Sequence, residues 1–225
     1  MPVDLNSYKQ ISEELAGKNV ALVAVSKTKP AEEILELYNL GQRDFGENYV
    51  GELTGKYEQL PKDIRWHFIG HLQSNKVKYI APFVSLLQGV DSKKLLIEIN
   101  KQAKKVNRII DCLLQVHIAK EETKFGLDEN ELHGLINSNY TNFTNVRIRG
   151  LMAMASFTTD ISLVGSEFKF LKSLFDKYAA FTIHHPIAIG SPFTILSMGM
   201  SADFRIAIEQ GSNMVRIGSL LFGNR

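Results

Sequence analysis

Short apolar runs alternate with amphipathic segments along the 225 residues of the chain. The runs are Val20–Val25, Arg43–Phe45, Trp66–Ile69, Phe83–Leu87, Asp111–Ile118, Val146–Met152, Thr194–Leu196 and Met214–Ile217. Several are rich in β-branched or aromatic residues and too short for helices, as buried parallel strands are. Between them lie helical patterns. Ala31–Tyr38 follows Pro30, carries acids in its first turn and stops before Gly41. Asp91 is placed to cap a helix over Ser92–Ala103, and Ser201 to cap one over Ala202–Gln210, which ends at Gly211. Phe168, Leu171, Phe175 and Tyr178 repeat at spacings of three and four, one face of a further helix. An additional helix over Leu5–Leu15 precedes the first strand. Eight strands alternating with helices predict a single closed (β/α)8 TIM-type barrel. An open doubly wound sheet also alternates, but the count of eight favours the closed form.

Composition narrows the function. With 44% hydrophobic and 22% charged residues the chain has the balance of an ordinary globular protein. No linker or low-complexity stretch divides it, so residues 1–225 read as one domain. Lys and Arg number 26 against 24 Asp and Glu, a net charge of +2. That is too little for a protein that grips nucleic acid by neutralising phosphates. No apolar stretch approaches a membrane span, and the N-terminus carries no signal-like core, so a cytoplasmic location is expected. The single cysteine, Cys112, excludes an internal disulfide and a multi-cysteine metal site. Histidine spacing offers no metal motif, and neither a Walker loop nor a G-x-S-x-G elbow occurs.

In a barrel, chemistry collects where strands end. Lys27 follows the first apolar run and should stand at the rim of the core. An amine near apolar walls and other cations gives up its proton more readily and can condense with an aldehyde. The plain alternative is a lysine snorkelling at a strand end. Ser201, Gly218 and Ser219 fall after the seventh and eighth strands, where barrels often hold phosphate; equally, Ser201 could be only a cap and Gly218 only a turn. Arg216 lies in an apolar context, pointing either into the barrel mouth or to a neighbouring carboxylate. His67 marks the third strand, and Lys124 could add a cation after the fifth.

Several segments then fit a known pattern together. They are Ala24–Pro30 (AVSKTKP), Phe45–Val50 (FGENYV), Trp66–Lys76 (WHFIGHLQSNK), Arg149–Met154 (RGLMAM), Leu196–Ser201 (LSMGMS) and Val215–Gly218 running on through Phe222-Gly223. In these the chain resembles the pyridoxal-phosphate homeostasis protein family, single-domain relatives of the amino-terminal barrel of alanine racemase. The resemblance implies that Lys27 holds pyridoxal 5′-phosphate (PLP) as a Schiff base and that Arg216 faces the pyridine nitrogen. It places the phosphate at Ser201, Gly218 and Ser219, lines the pocket with Asn48 and His67, and makes Lys124 a possible second amine. Two departures, Ala155-Ser156-Phe157 and Asn213, fall beside the pocket. The implied function is PLP binding and homeostasis without catalysis, with apo PLP-dependent enzymes as acceptors and a monomeric state. A weakly active racemase-like enzyme is the alternative. The chain ends after the eighth unit, where a racemase continues into a domain that supplies the opposing base. A third possibility is a barrel whose phosphate site takes another anion.

Overall fold

The computed structural model describes residues 3–121, 125–137, 143–184 and 193–223. Lys124 lies outside them. The elements run α1 (Leu5–Ala16), β1 (Ala21–Val25), α2 (Ala31–Asn39), β2 (Asp44–Glu47), α3 (Val50–Gln59), β3 (Arg65–Phe68), α4 (Val77–Ile80), β4 (Leu86–Val90) and α5 (Lys93–Lys105). They continue with β5 (Ile110–Gln115), α6 (Glu129–Asn137), β6 (Val146–Met152), α7 (Ile161–His184), β7 (Ile195–Ser197), α8 (Phe204–Glu209), β8 (Met214–Ile217) and α9 (Ser219–Phe222). The eight strands pair in parallel, in chain order, and close by β1 against β8 through Val23 opposite Arg216. The fold is the (β/α)8 barrel.

The strands bury both faces, which is why they read as apolar runs rather than alternating ones. Their outward side chains, Phe45, Trp66 and Phe68 among them, join Phe168, Leu171 and Phe204 of the helices in one continuous shell. Their inward side chains form a second, smaller core of Val23, Leu86, Leu113, Met152 and Met214 within the barrel. In α1, Tyr8, Ile11 and Leu15 are buried, and the Asp4 carboxylate caps the helix by accepting from the Ser7 amide at 2.9 Å.

Three local expectations need correction. The fourth strand is Leu86–Val90 rather than Phe83–Leu87. Its polar Gln88 interrupts the apolar run yet points inward, where the Ser197 hydroxyl donates to its Oε1 at 2.7 Å. Ser92, not Asp91, caps α5, accepting from the Leu95 amide, while Asp91 meets His71 Nδ1 at 3.0 Å. The last long helix is shorter than Ala202–Gln210. A turn over Ser201–Asp203 precedes it, Asp203 is its N-cap residue, and the Asp203 carboxylate accepts from the Met200 amide. Ser201 is therefore not a helix cap.

Among the described residues, no helix is long and apolar enough to cross a membrane.

Candidate functional site

A cavity of about 360 Å³ opens at the ends of β1, β2, β6, β7 and β8, the face where barrel chemistry gathers. Its walls carry Lys27, Thr28 and Lys29 after β1, Asn48 after β2, Arg216 on β8, and Gly218 and Ser219 behind it. Val25, Ile69, Met154, Met200 and Phe222 supply apolar surface. Three cations and no carboxylate face it among its lining residues. Such a set suits an anion carrying a flat apolar body.

Lys27 is half-buried in the turn that leaves β1. The next residue, Thr28, has φ of 64°, a left-handed backbone that a β-branched residue rarely adopts. A buried cluster underlies this turn. The Lys56 ammonium on α3 donates to the Ser26 carbonyl at 2.7 Å, to Glu47 Oε1 at 2.7 Å and to Glu52 Oε1 at 2.6 Å. The Ser26 hydroxyl donates to the same Glu47 oxygen at 2.6 Å, and the Thr28 amide to Glu52 Oε1 at 2.5 Å. Burial pushes the Glu47 carboxyl above its usual range, against the pull of the Lys56 ammonium.

Arg216 points inward from β8 with only 4% of its surface exposed. It donates from Nη1 to the Ser197 carbonyl at 2.9 Å and hydroxyl at 2.6 Å, and from Nη2 to the Ala153 carbonyl at 2.9 Å. Burial pulls its pKa down to about 10, and Asp203 opposes the shift. The mouth, rather than a carboxylate ion pair, is therefore its setting.

Ser201 is not itself among the cavity's lining residues, but its hydroxyl accepts from the Gly218 amide at 3.2 Å and so ties the β7 loop to the β8 turn. At Gly218 any Cβ would sit 3.2 Å from both the Cβ and the carbonyl of Val25, so the close approach of β1 and β8 here favours glycine. Asn48 Oδ1 is buried and lacks a hydrogen-bond partner, a cost unless a ligand supplies a donor.

His67 does not join these residues. It projects into the barrel interior, and its ring is absent from the cavity wall. The Gln88 amide nitrogen meets His67 Nδ1 at 2.9 Å; since that nitrogen only donates, Nδ1 accepts and Nε2 carries the proton toward Asp44 Oδ1 at 3.0 Å. Burial would raise the Asp44 pKa, but hydrogen bonds from Arg65 and His67 hold it down to about 2. Together with the Ser197 hydroxyl these groups form a hydrogen-bonded chain through the barrel, from Arg216 beneath the cavity to the Asp44–Arg65 pair at the opposite end. A polar residue near a strand end reads as a rim residue in sequence. The period of two along β3 instead turns His67 inward one layer below the rim.

Sequence reasoning missed Lys29, whose ammonium donates to the Phe222 carbonyl, and the cluster of Glu47, Glu52 and Lys56. The Glu52/Lys56 spacing of four on α3 was the available signal.

Residues 6–225 match the family model described as alanine racemase, N-terminal domain. A pyridoxal phosphate homeostasis protein of Aquifex aeolicus is 43% identical over 212 residues, 93% of this chain and 89% of its own. The chain belongs to the pyridoxal phosphate homeostasis protein family. Among solved structures, that of PipY from Synechococcus elongatus PCC7942 with PLP bound is 33% identical. It aligns with a TM-score of 0.82 over 95% of this chain and 100% of PipY. Alanine racemase from Bartonella henselae, with covalently bound pyridoxal phosphate, aligns at a TM-score of 0.67 and 17% identity over 97% of this chain and 59% of that one, a likeness of fold.

Proposed function

We propose that this protein binds PLP in the cavity at the strand ends and serves its homeostasis, with Lys27 as the amine that meets the cofactor. The observation that carries the reading is the wall itself: Lys27, Lys29 and Arg216 around an apolar slot, with no acid among the described residues that line it. That donor set fits a phosphorylated, flat, aldehyde-bearing ring. The buried, unpartnered Asn48 Oδ1 adds an acceptor for a ring hydroxyl. PipY, a relative across nearly the whole chain, is known with PLP bound, and the family is named for PLP homeostasis.

When bound, PLP supplies an aldehyde that condenses reversibly with an amine. The rest belongs to the protein. Ser219 would offer the phosphate its hydroxyl and amide, on a turn that Gly218 keeps close-packed and that the Ser201 hydroxyl ties to the β7 loop from behind. Met154, Met200 and Ile69, which line the cavity, would give the ring its apolar walls. Arg216 stays a cation up to about pH 10. Beside a pyridine nitrogen it disfavours protonation there, which weakens the electron withdrawal that amino-acid turnover requires. Cytoplasmic location and apo-enzyme acceptors complete the proposal.

The test pairs two assays on one preparation. Protein loaded with PLP and freed of excess is mixed with an apo PLP-dependent enzyme, and recovered activity is followed; deuterium exchange into the α-position of alanine is measured alongside. Transfer with negligible exchange is expected. Exchange near about 10 s⁻¹ without transfer would overturn the homeostasis reading in favour of a racemase.

A further inference from the structure

The residues on either side of Lys27 are each held by a side chain of α3, one turn apart on that helix. Lys56 takes the Ser26 carbonyl at 2.7 Å, Glu52 takes the Thr28 amide at 2.5 Å, and the two side chains meet each other at 2.6 Å. Neither Glu52 nor Lys56 lines the cavity. Between the two anchors the chain passes through the left-handed Thr28, supported locally by the Thr28 hydroxyl, which donates to the Lys27 carbonyl at 2.6 Å, and by the Lys29 amide, which donates to the Ser26 carbonyl at 3.1 Å. A strained residue persists where its surroundings over-determine it, and such strain gathers at functional sites. Glu47 completes the anchor from β2, its Oε1 receiving both the Lys56 ammonium and the Ser26 hydroxyl.

We propose that Glu52 and Lys56 are positioning residues: they clamp the backbone on both sides of Lys27 and so aim its amine at the cavity. The proposal rests on the PLP reading above and adds to it a determinant outside the binding wall. Its physical content is that reaction at Lys27 depends on the clamp, whereas recognition of phosphate and ring does not. A displacement of about 1 Å at a reacting atom can lower a rate by about 100-fold. Phosphate recognition, on the β7 and β8 loops, stands apart from α3.

The experiment compares Glu52→Ala, Glu52→Gln and the unaltered protein in three readouts. The first is the rate at which PLP forms a borohydride-trappable adduct at Lys27. The second is the Kd of pyridoxine 5′-phosphate, which keeps ring and phosphate but carries an alcohol in place of the aldehyde. The third is the melting temperature. For Glu52→Ala the trapping rate should fall by about 10-fold to 100-fold, with the analogue Kd within about twofold. Glu52→Gln, whose amide oxygen can still accept from Thr28 and Lys56, should recover most of the rate. If Glu52→Ala does not fold, Glu52→Asp, too short to reach both partners, replaces it. Equal trapping rates in all variants, or parallel losses of rate and analogue affinity, would overturn the positioning role. Absence of any Lys27 adduct in the unaltered protein would instead overturn the PLP reading on which it rests.

Discussion

Replacing Arg216 by methionine separates what this residue does for the fold from what it does for the cavity. Its pKa of about 10, against a reference of 12.5, means that burial disfavours the charged form by about 3 kcal/mol. Set against this are three hydrogen bonds from the guanidinium to acceptors on Ser197 and Ala153, each charge-assisted and contributing about 1.5–3 kcal/mol. The bonds exceed the penalty, but a buried methionine side chain contributes about 1.5–3 kcal/mol in their place, so the exchange comes within about 2 kcal/mol of balance. Methionine fills similar volume, and the Ser197 carbonyl keeps the Ala153 amide as a donor, at 3.2 Å. The variant should therefore melt within about 8 °C of the unaltered protein, since about 1 kcal/mol moves a chain of this size by about 2–4 °C. PLP affinity should nevertheless fall by about 10-fold to 100-fold, the worth of one charge-assisted contact. The alkaline limb offers a second check. A cation with a depressed folded pKa binds fewer protons in the folded state, so its penalty is relieved as pH rises from about 10 toward 12.5. Only the unaltered protein should gain stability from this group there. Calorimetry and a PLP titration on both proteins suffice. A drop of more than about 10 °C would make the guanidinium a net brace of the barrel, and unchanged affinity would remove it from the cofactor site.

Ser201→Ala should weaken PLP binding by about 10-fold to 100-fold through loss of a hydroxyl near the phosphate, while pyridoxal, lacking the phosphate, should bind both proteins alike in the same titration. Asp44, held at a pKa of about 2 against 3.8, stabilises the folded state in full above about pH 4, and that contribution is lost as pH falls through 2. Asp44→Asn should therefore cost about 1–2 kcal/mol at pH 7, allowing for the exposure of its partner Arg65. Denaturant melts should show the gap between the two proteins closing between about pH 4 and 2.

The barrel was legible in the sequence because parallel strands buried on both faces leave apolar runs, and even the shortest, Arg43–Phe45 and Thr194–Leu196, fall on strands, at Asp44–Glu47 and Ile195–Ser197. Register and polar interiors were less legible. Gln88 follows an apolar run and His67 sits inside one, yet both are buried: Gln88 accepts from Ser197 on β7, across the barrel, and His67 is satisfied by Asp44 and Gln88 on the strands beside it. Pairing across a closed barrel leaves no local trace. At the site, Lys27, Asn48, Arg216, Gly218 and Ser219 come together as the strand-end rule implies, with Ser201 one hydrogen bond behind. The clamp on α3 was hidden for another reason. Glu52 and Lys56 read as an ordinary surface pair at a spacing of four, and only the packing of α3 against the β1 turn buries Lys56 and gives both a task.

Everything proposed for this cavity turns on Lys27 being the amine that holds PLP. Incubating the protein with PLP, reducing with borohydride and mapping the modified peptide by mass spectrometry tests it most directly. The protein should be yellow, with a reduced adduct that lies on Lys27 and disappears in Lys27→Ala. A colourless protein, or a main adduct on Lys124 or any other lysine, would contradict it.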